Sequence, residues 1–209
     1  MKKNGFTLAE VLVTLGIVGV IAALTIPTFT QSTSNAKIGP MLGKAKSSFE
    51  QATTAMLNEA QSDSLTEAML CPETTPNCTA SQRVAVVSSA NYTNFLFNLG
   101  HYLKGSRSGT KEFRSEDGVK YILNDYTPTL SPFVHDAVVA DTVIIDINGE
   151  QGPNTDARDV FYFEMRNDGS LVPFGIDNWQ TKCAKNTVPT DPKSCAAHVF
   201  ENGLKAEYR

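Results

Sequence analysis

An apolar run of 21 residues, Phe6 to Ile26, carries one carboxylate, Glu10, near its start, with Lys2 and Lys3 just ahead of it. About 20 apolar residues are enough to cross the hydrocarbon core of a bilayer as a helix. An ionised glutamate within such a helix costs about 3 kcal/mol or more unless something neutralises it. Membrane-length apolarity combined with an unneutralised charge is the feature that any functional reading has to explain.

Two plain readings explain only part of it. A secretory signal peptide would account for the basic start, but the apolar run exceeds the usual signal core of about 7–15 residues. No small-x-small cleavage site follows it either: Ala22-Ala23-Leu24 lies inside the run and Pro27-Thr28-Phe29 comes directly after. A simple signal anchor would use Lys2 and Lys3 to keep the N-terminus in the cytoplasm. Neither reading has a use for Glu10 or for the Gly5-Phe6 junction.

The segment Lys3-Asn4-Gly5-Phe6-Thr7-Leu8-Ala9-Glu10 resembles the class III signal of type IV prepilins and type II secretion pseudopilins. In that family a prepilin peptidase cuts after the glycine, methylates the new first residue and leaves the apolar stretch in the mature protein. The resemblance implies cleavage between Gly5 and Phe6, methylation of Phe6, and Glu10 as the fifth mature residue. It also implies that Glu10 pairs with the new N-terminal amine of a neighbouring subunit during assembly. Pro27 falls where many pilins carry a proline within the first helix. The implied partners are prepilin peptidase, an inner-membrane assembly platform and other pilin or pseudopilin subunits. The implied location is a single-pass inner-membrane protein with a periplasmic or extracellular head, and a filament after assembly.

These residues need a scaffold, and the pattern downstream describes one. Pro27 should bend or loosen the first helix without ending it, and Gly39-Pro40 reads as a second interruption. Ile38, Met41, Leu42, Ala45, Phe49, Ala52 and Met56 then recur at three- and four-residue spacing, which marks one buried stripe of an amphipathic helix. Val84 falls in a short expected strand, 83–87, and Tyr92, Phe95, Leu96, Leu99 and Leu103 give a helical pattern over 91–103. Residues 105–109 read as a Ser/Gly-rich loop. Strands are expected at 119–123, 142–147 and 160–165, and Asn167-Asp168-Gly169 signals a hairpin. The expected fold is α+β: a long N-terminal helix on a small antiparallel sheet, with disulfide-stapled loops. The expected organisation is a leader over 1–5, an apolar assembly helix over 6–27, an amphipathic continuation over 28–70 and a globular head over 71–209.

Cys71, Cys78, Cys183 and Cys195 allow three connectivities. The local pairing Cys71–Cys78 and Cys183–Cys195 is the expected one, since each bond closes a short loop and an exported domain tolerates disulfides. Free thiols are the alternative. Neither spacing suits a zinc site or a C-x-x-C redox motif. The formal charge is −4, and loss of Lys2 and Lys3 with a leader takes it to −6. An acidic balance without a Lys/Arg cluster argues against nucleic acid as a partner. Lys182, Lys185 and Lys193 read as a solvated loop surface.

The stretch Asp146-Ile147-Asn148-Gly149-Glu150, continuing through Asn154 and Asp156 to Asp159, offers oxygen ligands at alternate positions, as calcium requires. Gln151 and Ala157 occupy the positions where an EF-hand needs Gly and Glu, so a tight turn without metal is the expectation. No cofactor is expected. His101, His135 and His198 share no motif, and His101 reads as a partly buried packing residue. Asp136 and Asp141 read as strand ends, and Trp179 as a buried residue. No catalytic motif is present, and the chain does not read as an enzyme. The resemblance therefore implies a filament subunit. The alternative is a minor or tip subunit that binds a surface, a secreted cargo or DNA, which a mature length of 204 residues leaves room for.

Overall fold

The computed structural model describes residues 7–87, 92–124, 138–152 and 154–208; side chains are not described at 26–35, 124 and 138–141. A single helix, α1 (Leu8–Ala60), runs through the first quarter of the chain, about 80 Å long at 1.5 Å per residue. Helical geometry continues across Pro27, as expected. It also continues across Gly39-Pro40, where an interruption was expected. Proline removes one intrahelical hydrogen bond. The tertiary packing on both sides outweighs that loss, because Ile38, Leu42, Ala45, Phe49, Ala52 and Met56 are all buried against the head. Met41 drops out of the expected stripe and is 41% exposed. Gln61 ends the helix in the left-handed region at φ 54°. Residues 61–70 are therefore turns and a short strand, and the helix stops short of the expected residue 70.

The stripe of α1 rests on a six-stranded antiparallel sheet whose strands follow one another in chain order. The sheet comprises β3 (Gly105–Ser108), β4 (Glu112–Ser115), β5 (Lys120–Asn124), β6 (Val138–Asp146), β7 (Val160–Arg166) and β8 (Leu171–Pro173). Alternate residues of the central strands point inward: Tyr121 and Leu123, Val143 and Ile145, Phe161, Phe163 and Met165. Phe49 of α1 sits at the centre of this contact, its ring 5.5 Å from Tyr121 and 6.1 Å from Phe95. The Tyr121 hydroxyl donates to the Ala45 carbonyl at 3.1 Å, which satisfies the one polar atom of that ring. A second helix, α2 (Thr93–Leu103), buries Phe95, Leu96 and Leu99 beside α1. Strands β1 (Met69–Leu70) and β2 (Val84–Ala85) form a separate small ladder.

Residues 105–109, expected as a loop, supply the edge strand β3 instead. Gly105 pairs with Ser115, and a Cβ on Gly105 would stand 2.1 Å from the Arg114 carbonyl oxygen and 2.7 Å from the Phe113 ring. Here glycine serves close approach between backbones rather than flexibility. The hairpin after β7 forms as expected. Gly169 adopts φ +80°, and the Asp168 carboxylate accepts from the Ser170 amide and hydroxyl at 2.9 and 2.6 Å.

The C-terminal region is more ordered than a stapled loop. It contains α3 (Trp179–Lys182) and α4 (Cys195–Glu201). Cys183–Cys195 joins them, and Cys71–Cys78 closes the loop after β1. Phe200 of α4 packs edge-on against Phe163 at 5.9 Å.

Candidate assembly segment at the N-terminus

The first described residues form a capping box. Thr7 is the N-cap of α1, and its hydroxyl accepts from the Glu10 amide at 3.3 Å. Glu10 Oε2 in turn accepts from the Thr7 amide and the Thr7 hydroxyl, each at 2.8 Å. A helix start leaves its first amides without partners, and this reciprocal arrangement satisfies two of them. The Thr7-x-x-Glu10 spacing is the sequence signature of such a box, and it lies within the same residues that carry the membrane signal. Glu10 therefore already has a partner within its own chain.

From Leu8 to Thr25 the helix is long and apolar enough to cross a membrane, and none of that window is buried within the chain. Its large side chains face outward, from 45% exposed at Val11 to 79% at Leu8. The polar atoms inside the window are satisfied locally: the Thr14 hydroxyl donates to the Val11 carbonyl and that of Thr25 to the Ile21 carbonyl, at 3.0 and 2.9 Å. Beyond its first turn a surface of this kind suits a bilayer or a protein partner, because its backbone and hydroxyl groups are satisfied within the helix. The candidate processing residues Gly5 and Phe6 lie outside the described residues.

Residues 1–26 match the prokaryotic N-terminal methylation motif. The chain thus carries the type IV prepilin-like cleavage and methylation signal over the stretch that precedes and forms the apolar helix. The motif covers Gly5, Phe6 and Glu10 together with the whole exposed apolar window. No curated protein and no solved structure matches the chain.

Elsewhere the candidate residues serve the fold. Asp146 is buried, and its Oδ1 accepts from the amides of Asn148 and Gly149 at 3.3 and 3.0 Å, which is a turn cap. Burial pushes its carboxyl pKa up, against the pull of those two amides. Asp156 accepts from the Tyr162 hydroxyl at 2.8 Å. Among the described residues no group of three or more His, Cys, Asp or Glu side chains is placed to hold a metal ion.

The three lysines expected on a solvated loop surface each have a partner. Lys182 pairs with Asp191 at 3.4 Å and Lys185 with Glu207 at 2.6 Å. The Lys193 ammonium lies 5.2 Å from the Tyr162 ring centre. His101, expected partly buried, is exposed and leans edge-on against Phe97 at 4.8 Å. Trp179, expected buried, is half-buried, its ring edge-on to that of His198 with centroids 5.0 Å apart. Among the described residues, His198 is the fully buried histidine. His135 and Asp136, and the side chain of Asp141, lie outside the described residues.

Proposed function

We propose that the chain is a structural subunit of a type IV pilus-like or type II secretion filament. It is cut after Gly5, N-methylated at Phe6 and assembled through α1. The observation that carries this reading is the methylation motif running into a helix whose apolar window, Leu8–Thr25, has no cover within the chain. That surface needs a second environment after the bilayer, and a bundle of identical helices supplies one. A contact repeated without closure builds a filament.

The chemistry at the start of the helix follows from the charges. Cleavage would leave a cationic amine on Phe6, within a helical turn of the Glu10 carboxylate. Opposite charges about 4 Å apart attract by about 4 kcal/mol at an effective dielectric near 20. That attraction is comparable to the cost of holding a lone carboxylate in lipid. Pairing with a neighbour's amine therefore favours the assembled state, while the Thr7 cap holds the carboxylate in place beforehand. Prepilin peptidase, an inner-membrane platform and other pilin-like subunits are the partners this route requires. The head, on this reading, stands on the far side of the inner membrane, and the 146–159 turn keeps its shape without calcium, so a chelator leaves the melting temperature unchanged.

Mass spectrometry of the mature protein tests the proposal directly. It should begin at methylated Phe6, whereas a chain that retains Met1 refutes the reading. Subunit stoichiometry in purified filaments separates a bulk subunit from a minor or tip subunit.

A further inference from the structure

The two ends of the head differ in charge and match in apolar surface. Around Ala36 and Pro40 of α1, a cleft of about 1310 Å³ opens toward the C-terminal segment. Val188 and Leu204 line it at 72% and 38% exposure. Arg158, Lys185 and Lys205 stand exposed along its rim. Of the acids beside them, Glu207 is paired with Lys185 and Asn202, Asp156 accepts from the Tyr162 hydroxyl, and Asp159 is half-buried next to Arg158. At the other end of the same helix, Glu59, Asp63 and Glu67 are exposed. No basic residue lies in the last turn of α1, and the helix dipole adds negative character at that end. Met69 at 49% exposure and Tyr102 at 38% supply apolar surface there. The Tyr102 hydroxyl donates to Glu59 and is pushed up to about 12 in pKa, first by burial and then by that carboxylate.

We infer that the basal cleft receives the acidic apex of a second copy of this chain. The inference rests on the filament reading. In a filament whose α1 helices run parallel, the apex of one head faces the base of a head farther along the axis. Ala36 and Ala60 are 24 residues apart, about 36 Å along the helix, so a head of that height brings the two surfaces together at each repeat. The contact is heterologous, one patch meeting a different patch, which is the kind that propagates without closing. Carboxylates from the apex meet Arg158 and Lys205, while Met69 finds apolar cover against Val188 and Leu204.

The test uses the full-length protein in its assembled form. Charge reversal at the base, Arg158→Glu with Lys205→Glu, should lower filament yield by about tenfold or more, since like charges now face each other. Reversal at the apex as well, Asp63→Lys with Glu67→Lys, should restore it. All four side chains are exposed, so monomer melting should not change. As an independent readout, Asp63→Cys with Lys205→Cys should give an intersubunit bismaleimide cross-link in otherwise wild-type filaments. Unchanged yield in the base variant, or filaments that lack this cross-link, overturns the inference alone. A wild-type chain that stays monomeric in the membrane overturns the filament reading, and this inference with it.

Discussion

The Leu204 carbonyl oxygen lies 1.6 Å from the position a Cβ on Gly39 would take, and the Leu204 side chain lies 3.2 Å from where a Cβ on Gly43 would stand. The C-terminal segment is thus clasped against α1 where the helix enters the head. Leu204 adopts φ 60°, uncommon for a residue with a side chain, to make that approach. Gly39→Ala should therefore destabilise the head by about 1–3 kcal/mol, the usual cost of overpacking. Without the clash, the same change would stabilise the helix by about 1 kcal/mol through propensity. The obstacle is backbone, which no rotamer change can clear. Denaturant melts of the full-length protein in detergent decide the sign.

Thr7 and Glu10 separate capping from assembly. If Glu10 only capped its helix, Thr7→Val and Glu10→Ala would act alike, each removing about 0.5–2 kcal/mol of local helix stability. Glu10→Ala should instead abolish incorporation into filaments while leaving membrane insertion and cleavage intact. Thr7→Val should reduce incorporation only modestly. Normal filament yield from Glu10→Ala would sink the intersubunit role.

What could be read in advance was whatever depends on near neighbours. The stripe from Ile38 to Met56 and the alternation in β5 to β7 reflect local periods that the sheet and helix preserve. The Asn167-Asp168-Gly169 turn likewise depends on the conformations those three residues favour. Gly39-Pro40 misled because local propensity predicts a break, while the decisive contact comes from Leu204, far away in sequence. The same holds for Gly105, whose meaning lies in the Arg114 carbonyl across the ladder. At the N-terminus Gly5, Phe6 and Glu10 stood out as candidates from the sequence. The self-partnering of Glu10 with Thr7 is written in the Thr-x-x-Glu spacing of a capping box, a signal independent of the apolar run.

The two disulfides should differ in accessibility. Cys183 and Cys195 are fully buried in the core, whereas Cys71 and Cys78 are half-buried around an exposed loop. Mild reductant followed by alkylation should label Cys71 and Cys78 first, with Cys183 and Cys195 protected until the head unfolds. Cys183→Ala with Cys195→Ala should cost about 3 kcal/mol or more, from the closure of a loop of this length. Simultaneous labelling of all four thiols in the folded protein would contradict the assignment.

His198 gives the head a defined response to acid. It is fully buried, with the Trp179 and Tyr208 rings edge-on at centroid distances of 5.0 and 5.2 Å, and neither ring nitrogen meets a partner at hydrogen-bond geometry. Burial lowers its pKa from the ordinary 6.5, opposed by the nearby Cys183 backbone and Glu207, with Lys185 adding to the lowering. The unfolded chain therefore binds the proton more readily than the folded one. The contribution is complete above the ordinary value and is lost as pH falls below it, so stability rises with pH through this window. The wild-type melting temperature should drop on going from neutral pH to about pH 5. His198→Phe keeps the aromatic packing and has nothing to protonate, so its melting curve should fall less over the same range. Parallel curves for the two proteins would show that His198 does not titrate on unfolding in this range.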